Sequence, residues 1–158
     1  MKNQNDLAPD SLKKRVQYIV NDEKNITPQR KLVLYELLNE PRLLSAYDIQ
    51  KNIFQKGHNL NISTIYRVLD FWISKGIVHK LNSNNTFMIC HILRNEHVHV
   101  LQHCDSCNKV KETCVEEIGI PLEKISLQNH FKIHTGQVIE TIGHCNECNK
   151  KFSESISD

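Results

Sequence analysis

NISTIYRVLDFWISKG, residues 61–76, runs directly into IVHKL at 77–81 and, after the turn-rich NSNN, into TFMIC at 86–90. The first piece has helical periodicity: Ile65, Val68, Leu69 and Trp72 share one stripe, while Tyr66, Arg67 and Asp70 point elsewhere. Ser63 is the expected N-cap and Gly76 the stop. The two short runs that follow are strand-like, and their spacing predicts a β-hairpin. A helix that leads at once into a hairpin is the second half of a winged helix-turn-helix, provided the preceding residues supply the first half.

They do. Residues 11–23 place Leu12, Val16, Ile19 and Val20 on one helical face. Thr27 followed by Pro28 is a cap with proline at the first helical position, and Leu32, Val33, Leu37 and Leu38 continue the stripe. In LLSAYDIQKNIFQKG, Ser45 with Asp48 three residues on reads as a variant capping box, and Gly57 closes that helix. In a winged helix-turn-helix the second helix of the pair, here expected at 63–75, enters the major groove. Thr64, Tyr66 and Arg67 near its start suit a phosphate, a thymine methyl and a guanine edge.

Charge supports a division into two modules. Residues 1–90 carry 13 Lys and Arg against 8 Asp and Glu, whereas residues 91–158 carry 7 against 10. Five of the six cysteines fall in the acidic part, and Cys90 stands at the boundary. The expected layout is a DNA-binding winged helix over 1–90, a hinge at 91–97 and a metal-binding dimerisation domain over 98–158. The opening MKNQNDLAPD has no apolar core of a signal peptide, and no run of about 18 apolar residues could span a bilayer. A cytoplasmic setting is expected, in which clustered cysteines hold metal more often than disulfides.

Cys104-x-x-Cys107 and Cys145-x-x-Cys148 supply four thiolates, the closed tetrahedral set that structural zinc prefers. The rival reading, a redox pair, needs a thioredoxin-like βαβ setting that the sequence lacks. KVKETC (109–114) and GQVIETI (136–142) read as strands, and roughly 117–131 reads as a helix with Pro121 in its first turn. Such a small α+β unit needs a metal or a partner chain to be stable, so a homodimer is expected. A second donor set lies near the boundary: His79 and Cys90 on facing strands of the hairpin, His97 at the end of the hinge, and Glu112 on the next strand. A thiolate, two imidazoles and a carboxylate suit tetrahedral zinc better than iron(II). The zinc expectation is therefore at least two ions per subunit. HExxH and the deaminase pair H-x-E with P-C-x-x-C are both absent, and four protein ligands leave no position for an activated water. Neither an enzyme nor a small-molecule substrate is expected.

ITPQR at 26–30, STIYRVLDF at 63–71 and the paired CDSC and CNEC knuckles resemble the ferric uptake regulator family of bacterial metal-sensing repressors. Within it, SAYDI (45–49), KGIVHKL (75–81), MICHI around Cys90 and CNKVKETC look like the zinc uptake regulator branch; the likeness spans roughly 10–150. This resemblance implies a homodimer that binds double-stranded operator DNA when zinc-loaded and represses zinc-uptake genes. The alternative within the family is an iron- or peroxide-responsive regulator. By motif match, Cys104, Cys107, Cys145 and Cys148 form the structural site. His79, Cys90, His97 and Glu112 form the sensing site, and Tyr47 joins Tyr66 and Arg67 as a DNA contact. The family's common pattern sets its histidines closer to the first knuckle than HVHVLQHC does, which leaves the choice among His97, His99 and His103 open. A third metal site would use His99 and His134.

Overall fold

Two caps fix where the middle helices of the first module begin. Thr27 Oγ1 accepts the N–H of Arg30 at 3.3 Å and opens α2 (Pro28–Asn39), which follows α1 (Pro9–Asp22). Ser45 and Asp48 make a reciprocal capping box that opens α3 (Ala46–Gln55). These contacts come from a computed structural model that describes residues 9–40, 43–90, 99–114, 124–131 and 138–149. The chain divides into two compact units, Met1–Leu93 and Arg94–Asp158.

In the first unit the next helix, α4 (Ile62–Ser74), starts earlier than its sequence suggests. Asn61, not Ser63, is the cap: its Oδ1 accepts the N–H of Thr64 at 2.8 Å and also the Ser63 hydroxyl at 2.8 Å. Asn61 has the extended backbone a cap requires, and Ser63 falls inside the first turn. Gly57 and Gly76 end α3 and α4 with φ of +84° and +67°, a conformation that Cβ-bearing residues enter at a cost. The hairpin β2 (Val78–Leu81) and β3 (Thr86–Ile89) forms as expected. It gains an outer strand, β1 (Leu44–Ser45), in the order β1-β3-β2. Two residues are too few to show a sequence period, so β1 was not legible.

Trp72, Phe87, Leu34, Ile49 and Ile65 are fully buried among these elements. Each such side chain contributes about 1.5–3 kcal/mol relative to exposure. Trp72 also donates its indole N–H to the Arg30 carbonyl at 3.0 Å, locking α4 to α2. The Arg30 guanidinium lies 3.6 Å from the centre of the Phe71 ring. The one buried carboxylate of α2, Glu36, pairs with Lys56 at the end of α3.

The second unit is built on a sheet of order β5-β4-β6, with β4 (His99–Cys104) antiparallel to β5 (Val110–Cys114) and parallel to β6 (Val138–Gly143). The strand β4 was not anticipated. It is the central strand and every residue but Gln102 is buried, which erases the alternation that marks a half-exposed strand. Residues 124–128 are helical, inside the expected 117–131; Pro121 lies outside the described residues. Among the described residues, the buried apolar side chains here are only Val100, Leu101 and Cys104. Ile125, Leu127, Phe131 and Ile142 stay exposed.

Candidate metal centres and nucleic-acid interface

Because β4 and β6 are parallel and in register, with Cys104 opposite Gly143, both end at one level of the sheet. Each then feeds a knuckle. The backbone fixes the first: Asn108 donates to the Cys104 carbonyl at 2.8 Å, Cys104 to that of Lys109 at 2.9 Å, and Asp105 to that of Gly143 at 3.1 Å. Asn108 turns the chain with φ +58°, a conformation Asn visits more readily than most residues. The four sulfurs of Cys104, Cys107, Cys145 and Cys148 consequently lie within 4.8 Å of one another. Cys107 Sγ and Cys145 Sγ are 3.8 Å apart, too far for a disulfide. A tetrahedron with zinc–sulfur bonds of about 2.3 Å has edges of about that length.

The thiols are not equivalent. The N–H of Cys145 points at Cys104 Sγ from 3.2 Å and holds that thiol down to about 6. Cys148 is pushed up to about 12, first by its hydrogen bond to the Cys145 sulfur and then by burial and the other thiols. Crowded sulfurs give up protons one at a time unless a cation replaces them. The four sulfurs could hold a metal ion, and four protein ligands suit a closed zinc centre.

The other expected donors fall in pairs, one pair in each unit. In the first, His79 lies opposite Met88, and Cys90 follows β3 with its N–H donated to the Ile77 carbonyl at 2.8 Å. His79 and Cys90 are therefore diagonal neighbours on one face of the wing, with a ring nitrogen and the sulfur within 4.8 Å. Both are buried, yet on the face opposite Val78, Phe87 and Ile89, which belong to the helical core.

In the second unit His99 lies opposite Cys114, and Leu101 opposite Glu112, so His99 and Glu112 are again diagonal neighbours. His99 Nδ1 is 2.8 Å from Glu112 Oε1, and both side chains are almost wholly buried. The motif match assigns this place to His97 and reserves His99 for a third site with His134. His97 and His134 lie outside the described residues, as does the expected hinge from 91 on, whereas His99 sits on Glu112. Strand period explains it: residues 99, 101 and 103 share a face, and Glu112 faces Leu101. His103 is also buried; its Nε2 is 3.3 Å from Asn108 Oδ1, bracing the knuckle's turn.

Of the expected DNA contacts, Arg67 is exposed on α4 and Tyr47 on α3, with Tyr47 66% accessible. Thr64 and Tyr66 are half-buried. Tyr66 packs edge-on against Phe87 at 6.4 Å, and its hydroxyl accepts from Asn85 Nδ2 at 3.3 Å. Asn85, in the wing turn with φ +55°, thus connects the wing to α4.

One cluster was not foreseen. His144 Nδ1 is 2.7 Å from Asp105 Oδ1 and 3.0 Å from Ser106 Oγ, across the two knuckles. Its signal was present: Asp105 directly follows Cys104, and His144 directly precedes Cys145.

Comparison with known proteins gives a consistent neighbourhood. The model of the ferric uptake regulator family matches residues 21–140. The zinc uptake regulation protein of Escherichia coli (strain K12) is 32% identical over 124 residues, covering 78% of this chain and 72% of that protein. The peroxide operon regulator of Bacillus subtilis (strain 168) is 26% identical over 145 residues, covering 92% and 98%. A solved structure of a zinc uptake regulator complexed with zinc and DNA superposes with a TM-score of 0.79 at 29% identity, covering 93% of this chain and 99% of that one. No helix among the described residues is long and apolar enough to cross a membrane.

Proposed function

We propose, on the premise that this chain belongs to the ferric uptake regulator family, that it is a cytoplasmic, zinc-responsive transcriptional repressor and not an enzyme. As a zinc-loaded homodimer it binds operator DNA and silences zinc-uptake genes. The observation that carries this reading is the arrangement of the candidate metal donors. Four cysteines form a closed set within one unit, and a separate thiol–imidazole pair and imidazole–carboxylate pair sit on different units.

The cysteine set holds a structural zinc that compensates for the small core of the second unit. The exposed Ile125, Leu127, Phe131 and Ile142 supply apolar surface for pairing with a second copy. His79 and Cys90 on one unit, with His99 and Glu112 on the other, hold the regulatory ion together. His99 is preferred to His97 because it is buried against Glu112. His99 Nδ1 and Glu112 Oε1 lie 2.8 Å apart, and a cation held by both would take the place of the proton between them. The thiol of Cys90 favours zinc over iron(II), which distinguishes this reading from an iron or peroxide sensor.

A ligand shared between two units restricts their relative orientation, and in a dimer that orientation sets the spacing of the two α4 helices. Half-sites recur about one turn of DNA apart, so spacing decides affinity. Zinc biases the competent arrangement, and operator DNA must in turn tighten zinc binding by the same factor. If fewer than one in a hundred metal-free dimers is competent, zinc raises DNA affinity about 100-fold, or roughly 3 kcal/mol. The test is promoter binding at clamped free zinc with wild type and Cys90→Ser. Zinc-dependent binding by wild type alone is expected; an equal zinc response from the variant would overturn the sensing assignment.

A further inference from the structure

The cluster beside the knuckles shares a ligand with them. One ring nitrogen of His144, one carboxylate oxygen of Asp105 and Cys104 Sγ lie within 4.8 Å of one another, and Cys104 Sγ is equally a member of the four-sulfur set. The exposures differ in a useful way. Cys104 is 4% accessible, while the side chains of His144 and Asp105 are 40% and 51% accessible. An imidazole, a carboxylate and a thiolate are a sound ligand set for zinc, with one position left for water. Three protein ligands with an open position hold an ion less firmly than four sulfurs. Ion and water can also reach them from solvent.

Two full sites cannot both keep Cys104 as a terminal ligand, so the shared sulfur orders them in sequence. We propose that Cys104, Asp105 and His144 form an entry site that captures zinc from solvent and passes it to the four cysteines without its leaving Cys104. In the transfer the bonds to the Asp105 oxygen, the His144 nitrogen and the water break. Bonds to the sulfurs of Cys107, Cys145 and Cys148 replace them, and the protons those thiols carry go to solvent. Asp105 and His144, once free of the ion, are left 2.7 Å apart, close enough to pair with each other. This rests on the structural-zinc reading of the four cysteines and adds the path by which that zinc arrives and departs.

A path and a brace predict different kinetics. A group that lies on the path speeds arrival and departure equally and leaves the equilibrium affinity alone, because affinity does not depend on route. A group that merely braces the loaded site slows departure only, so its loss accelerates release and weakens affinity in proportion. The experiment uses full-length, zinc-loaded protein. Zinc release is followed with a chromogenic chelator, extrapolated to zero chelator, and the dissociation constant is measured separately by chelator competition. His144→Gln and Asp105→Asn should each slow release by about tenfold, the scale on which groups flanking a metal centre act, at an unchanged dissociation constant.

Lys109→Met is the brace control. It cuts the 2.6 Å Lys109–Glu147 ion pair, which joins the same knuckles but whose carboxylate belongs to neither donor group, and should only speed release. Faster release with proportionately weaker binding in His144→Gln and Asp105→Asn would make the cluster a brace and overturn the proposal, as would no change in either. Cys148→Ser separates the two readings. If it keeps tight, stoichiometric zinc, the four-cysteine assignment has failed whatever the entry-site variants do.

Discussion

The knuckles and the histidine-containing pairs both gather side chains that could hold a metal, but they are assembled in opposite ways. The four sulfurs belong to one unit, at the ends of two parallel strands in register, and backbone hydrogen bonds hold the first knuckle in shape. The other donors are placed two and two. Each pair is fixed inside its own unit by a diagonal across an antiparallel ladder, and on the proposed reading an ion would join them. A site completed by the fold of one unit stabilises that unit at all times. If both pairs ligate one ion, as proposed, that ion would report its own presence. The surroundings agree: the first unit has Trp72, Phe87 and several leucines fully buried, whereas the second buries little beyond Val100 and Leu101 among the described residues.

The largest effect should come from breaking the closed set. Cys145→Ser should cost the second unit its fold and the protein its dimer, dropping operator binding to the non-specific level, a loss of about 1,000-fold or more. Sedimentation and amide exchange would show the first unit still protected. A variant that remained a folded, zinc-bound dimer would erase the distinction between the two regions. Acid should act on the same set. Cys107 and Cys148 are both held above the ordinary thiol value, so they are protonated at neutral pH and zinc must displace those protons. The sign is that affinity rises with pH, by at least about 100-fold per pH unit from these two displaced protons alone, in chelator competition between pH 6.5 and 8. The split site contains one thiol, so its dependence should be shallower; equal slopes would mean the two sites are not distinguished by their sulfur.

Next in size is the split site itself. Cys90→Ser should leave a folded dimer with its structural zinc and abolish most of the roughly 100-fold zinc enhancement of DNA binding. Comparing His99→Ala with His97→Ala sharpens this. Loss of zinc response with the first and its retention with the second is expected, since His99 is the imidazole on Glu112. The reverse result would return the ligand to His97.

The pattern of what could be read follows from the same physics. Caps and amphipathic stripes are local, so α2, α3, α4 and the wing were legible from Thr27, Ser45 and the stripe through Trp72. The knuckles were legible because metal spacing is itself a local pattern. Apart from the local cap of α4, what escaped was set by neighbours distant in sequence. Asn61 displaced Ser63 as the cap because the turn before α4 is extended through Asn61. His99 lies beside Glu112 because β4 pairs with β5 in one register, and a shift of one residue would have turned His99 away. The Asp105–His144 contact needs β4 and β6 parallel, a fact that no window of sequence around either residue contains.

The smallest effect tests whether the reading face is independent of both metal centres. Arg67 projects from α4 into solvent, on the side away from Ile65, Val68, Leu69 and Trp72, and makes no contribution to either donor set. Arg67→Ala should therefore weaken operator binding by about 1–3 kcal/mol and relax preference at one base pair. The zinc affinity of the free protein should not move, in contrast to Cys90→Ser, where it should collapse at one site. If the loss is instead equal on all sequences and the salt dependence falls by about one counterion, Arg67 contacts phosphate and the base reading passes to Tyr47 or Tyr66. If zinc affinity changes as well, α4 is coupled to the metal through more than orientation, and the separation of a reader from a sensor no longer holds.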